Sequence, residues 1–195
     1  MHHLPILNIS GPSGIGKSHL LQYLAPLGYR IILSTTTRPM RAGEQNGVDY
    51  EFLSQEEYEQ ALQETDDFFM DNFFLGHHYG TRRSALENVW TQALIPVTTI
   101  KLEVLDQFTA TYPQTCHIFL TEGTPGLLQR RLEKRHPDDP QKVIDRLAGA
   151  QTELALLANQ NIAKKFHHII PIMDDSAETL ALTLHQIALD HSKSL

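Results

Sequence analysis

The chain has 195 residues, 41% of them hydrophobic and 20% charged, with a formal net charge of −7. That is enough for one domain with a full core and room for a small inserted subdomain. The acidic balance excludes a general nucleic-acid surface, the single Cys116 excludes an internal disulfide, and no apolar run is long enough to span a bilayer. With no signal-peptide pattern at the N-terminus, a reducing, cytoplasmic setting is expected.

Leu4–Ser10 reads as a short buried strand, and Lys17–Leu24 as the start of a helix. Between them stands Gly11-Pro12-Ser13-Gly14-Ile15-Gly16-Lys17-Ser18, which fits G-x-x-x-x-G-K-[ST] at every fixed position. Strand, glycine-rich loop and helix in that order form a phosphate cradle. Backbone N–H groups of Gly11, Ser13, Gly14, Ile15 and Gly16 can curl around a polyphosphate. Lys17 can reach its outer phosphates, and the Ser18 hydroxyl can ligate Mg²⁺.

Next comes a strand-like run at Ile31–Ser34, and then the rhythm breaks. Residues 34–84 mix glycines, acidic residues and aromatics with one helix-like stretch, Ser54–Gln63. We read this segment as an inserted acceptor-binding subdomain. Beyond it, strand-like runs at Ile95–Ile100, Cys116–Leu120 and His168–Ile172 alternate with helical patterns at Leu102–Thr109, Gly126–Lys134, Lys142–Ala158 and Ala177–Leu189. Such alternation predicts an α/β fold, a parallel sheet flanked by helices on both faces, with ligands beyond the carboxyl ends of the strands. Arg135–Pro140 separates two helices with His, Asp and Pro, so residues 126–158 are expected to form a helical lid with its flanking helices. Cys116 lies in an apolar run and reads as a core thiol; His77, His78, His167 and His168 read as ordinary loop or strand-side histidines.

Arg38 and Arg41, three residues apart in a turn, can present two planar donor forks to one anion, and a tyrosine hydroxyl can add a donor. Here the sequence resembles the guanylate kinase family, P-loop kinases that phosphorylate GMP from ATP. The family's S-T-T-R-x-P-R-x-G-E-x-x-G-x-D-Y-x-F is nearly reproduced by Ser34 through Phe52, and its G-N-Y-Y-G-T appears as Gly76-His77-His78-Tyr79-Gly80-Thr81. R-L-x-x-R appears as Arg131-Leu132-Glu133-Lys134-Arg135, followed by Ile144-Asp145-Arg146-Leu147. The resemblance covers about residues 5–190 and makes 1–195 a single guanylate-kinase-like domain. It implies that Arg38, Arg41, Tyr50 and Tyr79 hold the acceptor phosphate, that Ser34 and Thr81 face the acceptor base, and that Arg131, Arg135 and Arg146 close over the donor phosphates. It further implies ATP, Mg²⁺ and small-molecule nucleotide substrates; from the charge and the lack of an apolar span no nucleic acid or membrane partner is expected, and monomer and homodimer both stay open.

Three positions depart from the family pattern. Where the family carries a glutamate that reads guanine, this chain has Met70; the adjacent Asp71 is taken as the acidic group for the acceptor. The family's D-x-D is Thr99-Ile100-Lys101, so one carboxylate has become a hydroxyl and the other a cation. Its N-D-D is Met173-Asp174-Asp175. Three readings stay open at this point: a GMP kinase, a kinase for another phosphorylated acceptor such as ribose bisphosphate or another nucleotide, and a weakly catalytic binding module. Retention of Lys17 and Ser18 speaks against the last.

Overall fold

The computed structural model describes residues 4–41, 43–74, 76–173 and 177–193. From the N-terminus run β1 (Leu7–Ser10), α1 (Lys17–Leu24), β2 (Tyr29–Ile31), β3 (Ser34–Thr36), β4 (Glu51–Phe52), α2 (Gln55–Glu64), β5 (Phe68–Phe74), β6 (His77–Arg82) and α3 (Arg83–Thr91). There follow β7 (Ile95–Thr98), α4 (Leu105–Thr111), β8 (Cys116–Glu122), α5 (Leu127–Arg135), α6 (Pro140–Leu156), α7 (Gln160–Ala163), β9 (His168–Ile172) and α8 (Ala177–Lys193). The strands form two sheets, a five-stranded one in the order β2-β7-β1-β8-β9 and a four-stranded one in the order β4-β3-β6-β5. By contact density the chain divides into two compact units, residues 5–29 with 97–195, and residues 1–4 with 30–96.

In the first unit, β1 pairs in parallel with both β7 and β8, and β8 pairs in parallel with β9. All four residues of β1 are buried, as are the first five of β8, which is what a central strand covered on both faces requires. Helix α1 packs on α8, and α5 on α6. The apolar sheet is threaded by a closed polar cluster. Asn8 accepts from the Ile100 N–H through Oδ1 (3.0 Å), while its Nδ2 lies 3.0 Å from His117 Nδ1. Ser10 Oγ donates to the Ile100 carbonyl (2.8 Å), and His117 Nε2 lies 3.0 Å from Thr109 Oγ1. These buried side chains hydrogen-bond one another and nearby backbone, so they specify register at little cost. They also bind the chain leaving β7 to the end of β1, just before the phosphate loop.

The second unit is built around the smaller sheet. β3 pairs in parallel with β4 and antiparallel with β6, which in turn pairs antiparallel with β5. The sequence predicts one strand over Ile31–Ser34, but the structure ends β2 at Ile31 and starts β3 at Ser34, so this run serves two sheets. Helix α2 opens on a capping box: Ser54 Oγ accepts from the Glu57 N–H (3.1 Å) and Glu57 Oε2 from the Ser54 N–H (2.7 Å). Its Tyr58 is fully buried against β6 at Gly80, where a Cβ would stand 2.1 Å from the tyrosine hydroxyl. A side chain at residue 80 would displace α2 from the sheet.

Candidate active site

The loop between β1 and α1 is shaped by Gly16. It caps the helix with φ of 111°, a left-handed conformation that favours glycine, and supplies no capping side chain. The first backbone N–H groups of α1 are therefore left for a ligand, at the positive end of the helix. Lys17 folds back over the loop and donates to the carbonyls of Gly11 and Pro12, the second at 3.0 Å. Burial pulls its ammonium below the usual lysine range, and the Glu153 carboxylate works against that pull. Ser18, in the first turn, is exposed.

Two of the three arginines expected in the lid reach the same loop. Arg131 on α5 donates to the Ile15 carbonyl (2.6 Å), and Arg146 on α6 donates to Ser13 Oγ (2.7 Å). Arg135, the last residue of α5, is exposed, and the structure does not bring it to the loop. Helix α6 begins at Pro140, two residues earlier than its apolar pattern, because Asp139 caps it through the Lys142 N–H (3.0 Å). A cavity of about 580 Å³ opens from Gly16 and Arg131 along His19, Tyr23, Ile172 and Met173. Asp174 and Asp175 lie outside the described residues.

The residues expected at the acceptor phosphate gather around a carboxylate that sequence reasoning passed over. Arg38, only 8% exposed, sends both terminal nitrogens to Glu44, at 2.7 and 2.8 Å. Glu44 also accepts from the Arg41 backbone N–H (2.8 Å). The Arg38 hydrogen bonds hold the Glu44 carboxyl down to about 2, against the opposing effect of its partial burial. The Arg38 guanidinium lies 5.2 Å from the Tyr50 ring centroid and 5.3 Å from that of Phe52. Burial raises the Tyr50 hydroxyl above its usual range, and Arg38, Tyr79, Glu44 and Arg41 all act on it electrostatically. The signal for Glu44 was present, as the acid that follows Arg38 and Arg41 in the same turn.

Ser34, Thr81 and Met70 face one another on a single rung across β3, β6 and β5. The next rung on that face is Thr36, Tyr79 and Asn72. Asp71 does not join them. It pairs with Gly80 on the alternate rung, beside Thr35, and its Oδ1 accepts from Tyr58 Oη (2.8 Å) and lies 3.1 Å from His78 Nδ1. Alternation along β5 therefore puts the Asp71 carboxylate on the opposite face from Ser34, Tyr79 and Thr81, and its expected place beside the acceptor is corrected. Thr99 and Lys101 flank Ile100, whose N–H and carbonyl are held by Asn8 and Ser10.

A further group of ionisable side chains sits in the first unit. Cys116, His167 and His191 bring ligand atoms within 4.8 Å of one another. The His117 backbone N–H donates to His167 Nδ1 (2.9 Å), which leaves the His167 ring proton on Nε2. A metal at that ring would have to displace the His117 backbone N–H from Nδ1 or strip a proton from Nε2. His117 is buried, and burial together with the neighbouring histidines holds its pKa down to about 4.

A glycine-bent loop between a buried parallel strand and a helix, with a lysine and two arginines turned onto it, defines the phosphate-binding loop of a nucleoside monophosphate kinase-type fold. Comparison with known proteins narrows this. The guanylate kinase family model matches residues 5–186. The guanylate kinase of Thermosynechococcus vestitus is 38% identical over 152 residues, covering 77% of this chain and 79% of that protein. That of Helicobacter pylori is 31% identical over 176 residues, covering 86% and 85%. The solved guanylate kinase of Anaplasma phagocytophilum superposes with a TM-score of 0.67 over 96% of this chain and 86% of that one, at 23% identity, a likeness of fold. The chain belongs to the guanylate kinase family. Among the described residues, no helix is long and apolar enough to cross a membrane.

Proposed function

We propose that this protein transfers the γ-phosphoryl group of ATP to the phosphate of GMP. An acceptor-phosphate oxygen bonds to the γ-phosphorus as the bond from that phosphorus to the bridging oxygen breaks. GMP becomes GDP, ATP becomes ADP, and nothing is oxidised or reduced. The observation that carries this reading is the convergence of Lys17, Arg131 and Arg146 on one loop in a member of this family.

In this reading the loop N–H groups from Gly11 to Ser18 bind the donor phosphates. Lys17, Arg131 and Arg146 exchange their present loop oxygens for phosphate oxygens, and Arg135 joins them when the lid closes. The cavity beside Gly16 and Tyr23 takes the rest of the donor nucleotide. Ser18 offers Mg²⁺ a hard hydroxyl oxygen, in keeping with an ion that retains waters and takes few protein ligands, whereas Lys101 offers none. When bound, the ion supplies positive charge at the donor phosphates. On the acceptor side, Arg38, Arg41, Tyr50 and Tyr79 hold the GMP phosphate, and Ser34 and Thr81 face its base. Such a site works by positioning and by fixed positive charge, since the reaction itself asks for little covalent help. A cytoplasmic enzyme drawing on the ATP pool goes with this reading.

The test is ADP release with ATP, Mg²⁺ and each of GMP, dGMP, AMP, CMP, UMP and ribose bisphosphate. ADP formation with GMP that disappears in Lys17→Ala supports the proposal. Turnover of ribose bisphosphate alone, or none with any acceptor, overturns it.

A further inference from the structure

The two faces of the four-stranded sheet differ in how far their polar groups are satisfied. On one face Thr35 Oγ1 donates to Glu51 (2.6 Å), Glu51 accepts from Arg82 Nε (2.9 Å), and Asp71 is engaged by Tyr58 and His78. That face is closed on itself. On the other, the Thr36 hydroxyl donates to the His78 carbonyl (2.8 Å). The hydroxyls of Ser34, Tyr79 and Thr81 and the amide of Asn72 make no side-chain hydrogen bond to any described residue. Thr81 is only 5% exposed and Asn72 is half-buried, yet the unbonded polar atoms of this face are not sealed in and stay open to whatever lies against it. Polar groups arranged in this way are hydrated when the face is empty and are free to bond a ligand that displaces that water.

The composition of this open face defines the ligand it suits. Besides the Thr36 hydroxyl, already engaged, it holds three further hydroxyls, the weakly accepting thioether of Met70, and one amide. Neither Met70 nor Asn72 carries charge, and no carboxylate shares their two rungs. Only the amide presents an acceptor and a donor side by side in a rigid plane. A purine with an oxo group at C6 shows the complement along one edge, a ring N1–H donor beside the O6 acceptor. Accepting hydrogen bonds from both N1–H and a C2 amine would take a carboxylate.

Resting on the phosphoryl-transfer reading above, we propose that Asn72 is the residue that reads the acceptor base. It pairs with the N1–H and O6 edge, so the enzyme takes 6-oxopurine monophosphates as a class and does not require the C2 amine. IMP, which differs from GMP by the absence of that amine, is then an acceptor nearly as good as GMP.

The experiment compares kcat/KM for GMP, IMP and AMP, with dissociation constants from calorimetry, in wild type, Asn72→Leu and Asn72→Asp. Wild type should use and bind GMP and IMP within about tenfold of one another. Asn72→Leu, close in volume, should weaken both by about tenfold or more, chiefly through KM, with the KM for ATP unchanged. Asn72→Asp should move the preference towards GMP by about tenfold, since a carboxylate accepts from N1–H and the C2 amine together. A change in ratio of this kind would not come from a structural role. Rejection of IMP by more than tenfold in wild type, AMP accepted as well as GMP, or constants unmoved in both variants would overturn the assignment. GMP turnover with IMP rejected defeats only this assignment, whereas absence of turnover with every acceptor defeats the phosphoryl-transfer reading, and calorimetry then still decides whether Asn72 reads the base.

Discussion

The phosphate loop and the Arg38 turn both hold cations ready for phosphate, but on different partners. At the loop, Lys17 rests on two backbone carbonyls, Arg131 on a third, and Arg146 on a serine hydroxyl. All of these are neutral acceptors. At the turn, Arg38 is gripped by both oxygens of Glu44. Each of the loop bonds is charge-assisted by its donor alone, about 1.5–3 kcal/mol net, whereas Arg38 and Glu44 are opposite charges joined by two parallel bonds, a tighter and more directional grip. Lys17 and Arg131 therefore leave their neutral carbonyls for an incoming polyphosphate more readily than Arg38 leaves Glu44. Arg38 is better understood as fixed in place by Glu44, presenting its remaining donors to an anion while the pair stays intact. One region is poised to rearrange, and the other is braced.

The strongest way to break this contrast is to remove the mobile cation. Lys17→Ala is expected to lower kcat on the order of 10³-fold, the scale of losing a charged donor at a transferring phosphoryl group. Because the hydrogen bonds that Lys17 makes among the described residues all go to its own loop, the melting temperature should stay within a few degrees of wild type. Activity within tenfold of wild type would remove the loop from the mechanism.

Acid separates the two regions by pH. The folded state holds the His117 pKa down to about 4, so the unfolded chain binds the extra proton first. Stability should be full above pH ~6.5 and fall by about 3 kcal/mol on the way down to pH ~4, read as a falling urea midpoint. His117→Asn should flatten that slope. Glu44, held at about 2, is a depressed acid whose contribution is full above the usual carboxylate range and is lost only as the pH falls towards 2. The unit carrying the phosphate loop should therefore soften at milder acidity than the braced turn. Hydrogen exchange that showed the turn opening first would contradict this order.

At the turn itself, Arg38→Ala should raise the KM for GMP by about tenfold to a hundredfold, with a smaller rise for the exposed Arg41→Ala and little change in the KM for ATP. Unaltered acceptor kinetics in both variants would detach this turn from the acceptor phosphate. The smallest effect should come from Ser13→Ala. It deletes one hydrogen-bond partner of Arg146, so a change of about 1 kcal/mol in stability and about threefold in kcat is expected. A large loss there would mean that the serine does more than hold the arginine at rest.

Much of this was legible in the sequence because it is local. The phosphate loop, helix α1 and strand β9 follow from spacing, glycines and periodicity over a few residues, and β9 and the start of α1 fall at the expected positions. What was not legible depends on pairing. A bulge between Phe68 and Met70 sets the register of β5, and that register decides that Met70 and Asn72 share a face with Thr81 while Asp71 does not. No count along the chain reveals it, since shifting one residue exchanges the faces. Helix α3 was missed because its pattern is short and lies at the end of an irregular segment. The bonds from Asn8 and Ser10 to Ile100 cross about ninety residues of chain and leave no local signature.

Those two bonds give residue 101 an unusual experimental value. Because both polar groups of Ile100 are fastened to β1, the backbone on either side of it has little freedom to drift when a neighbouring side chain is exchanged. Lys101→Asp then acts as a voltage dial on a fixed mount: it reverses a unit charge beyond the end of β7 while the scaffold stays still. A gain in turnover would mean that the lysine opposes the metal's charge at the donor phosphates, and a loss would mean that its ammonium helps to hold them.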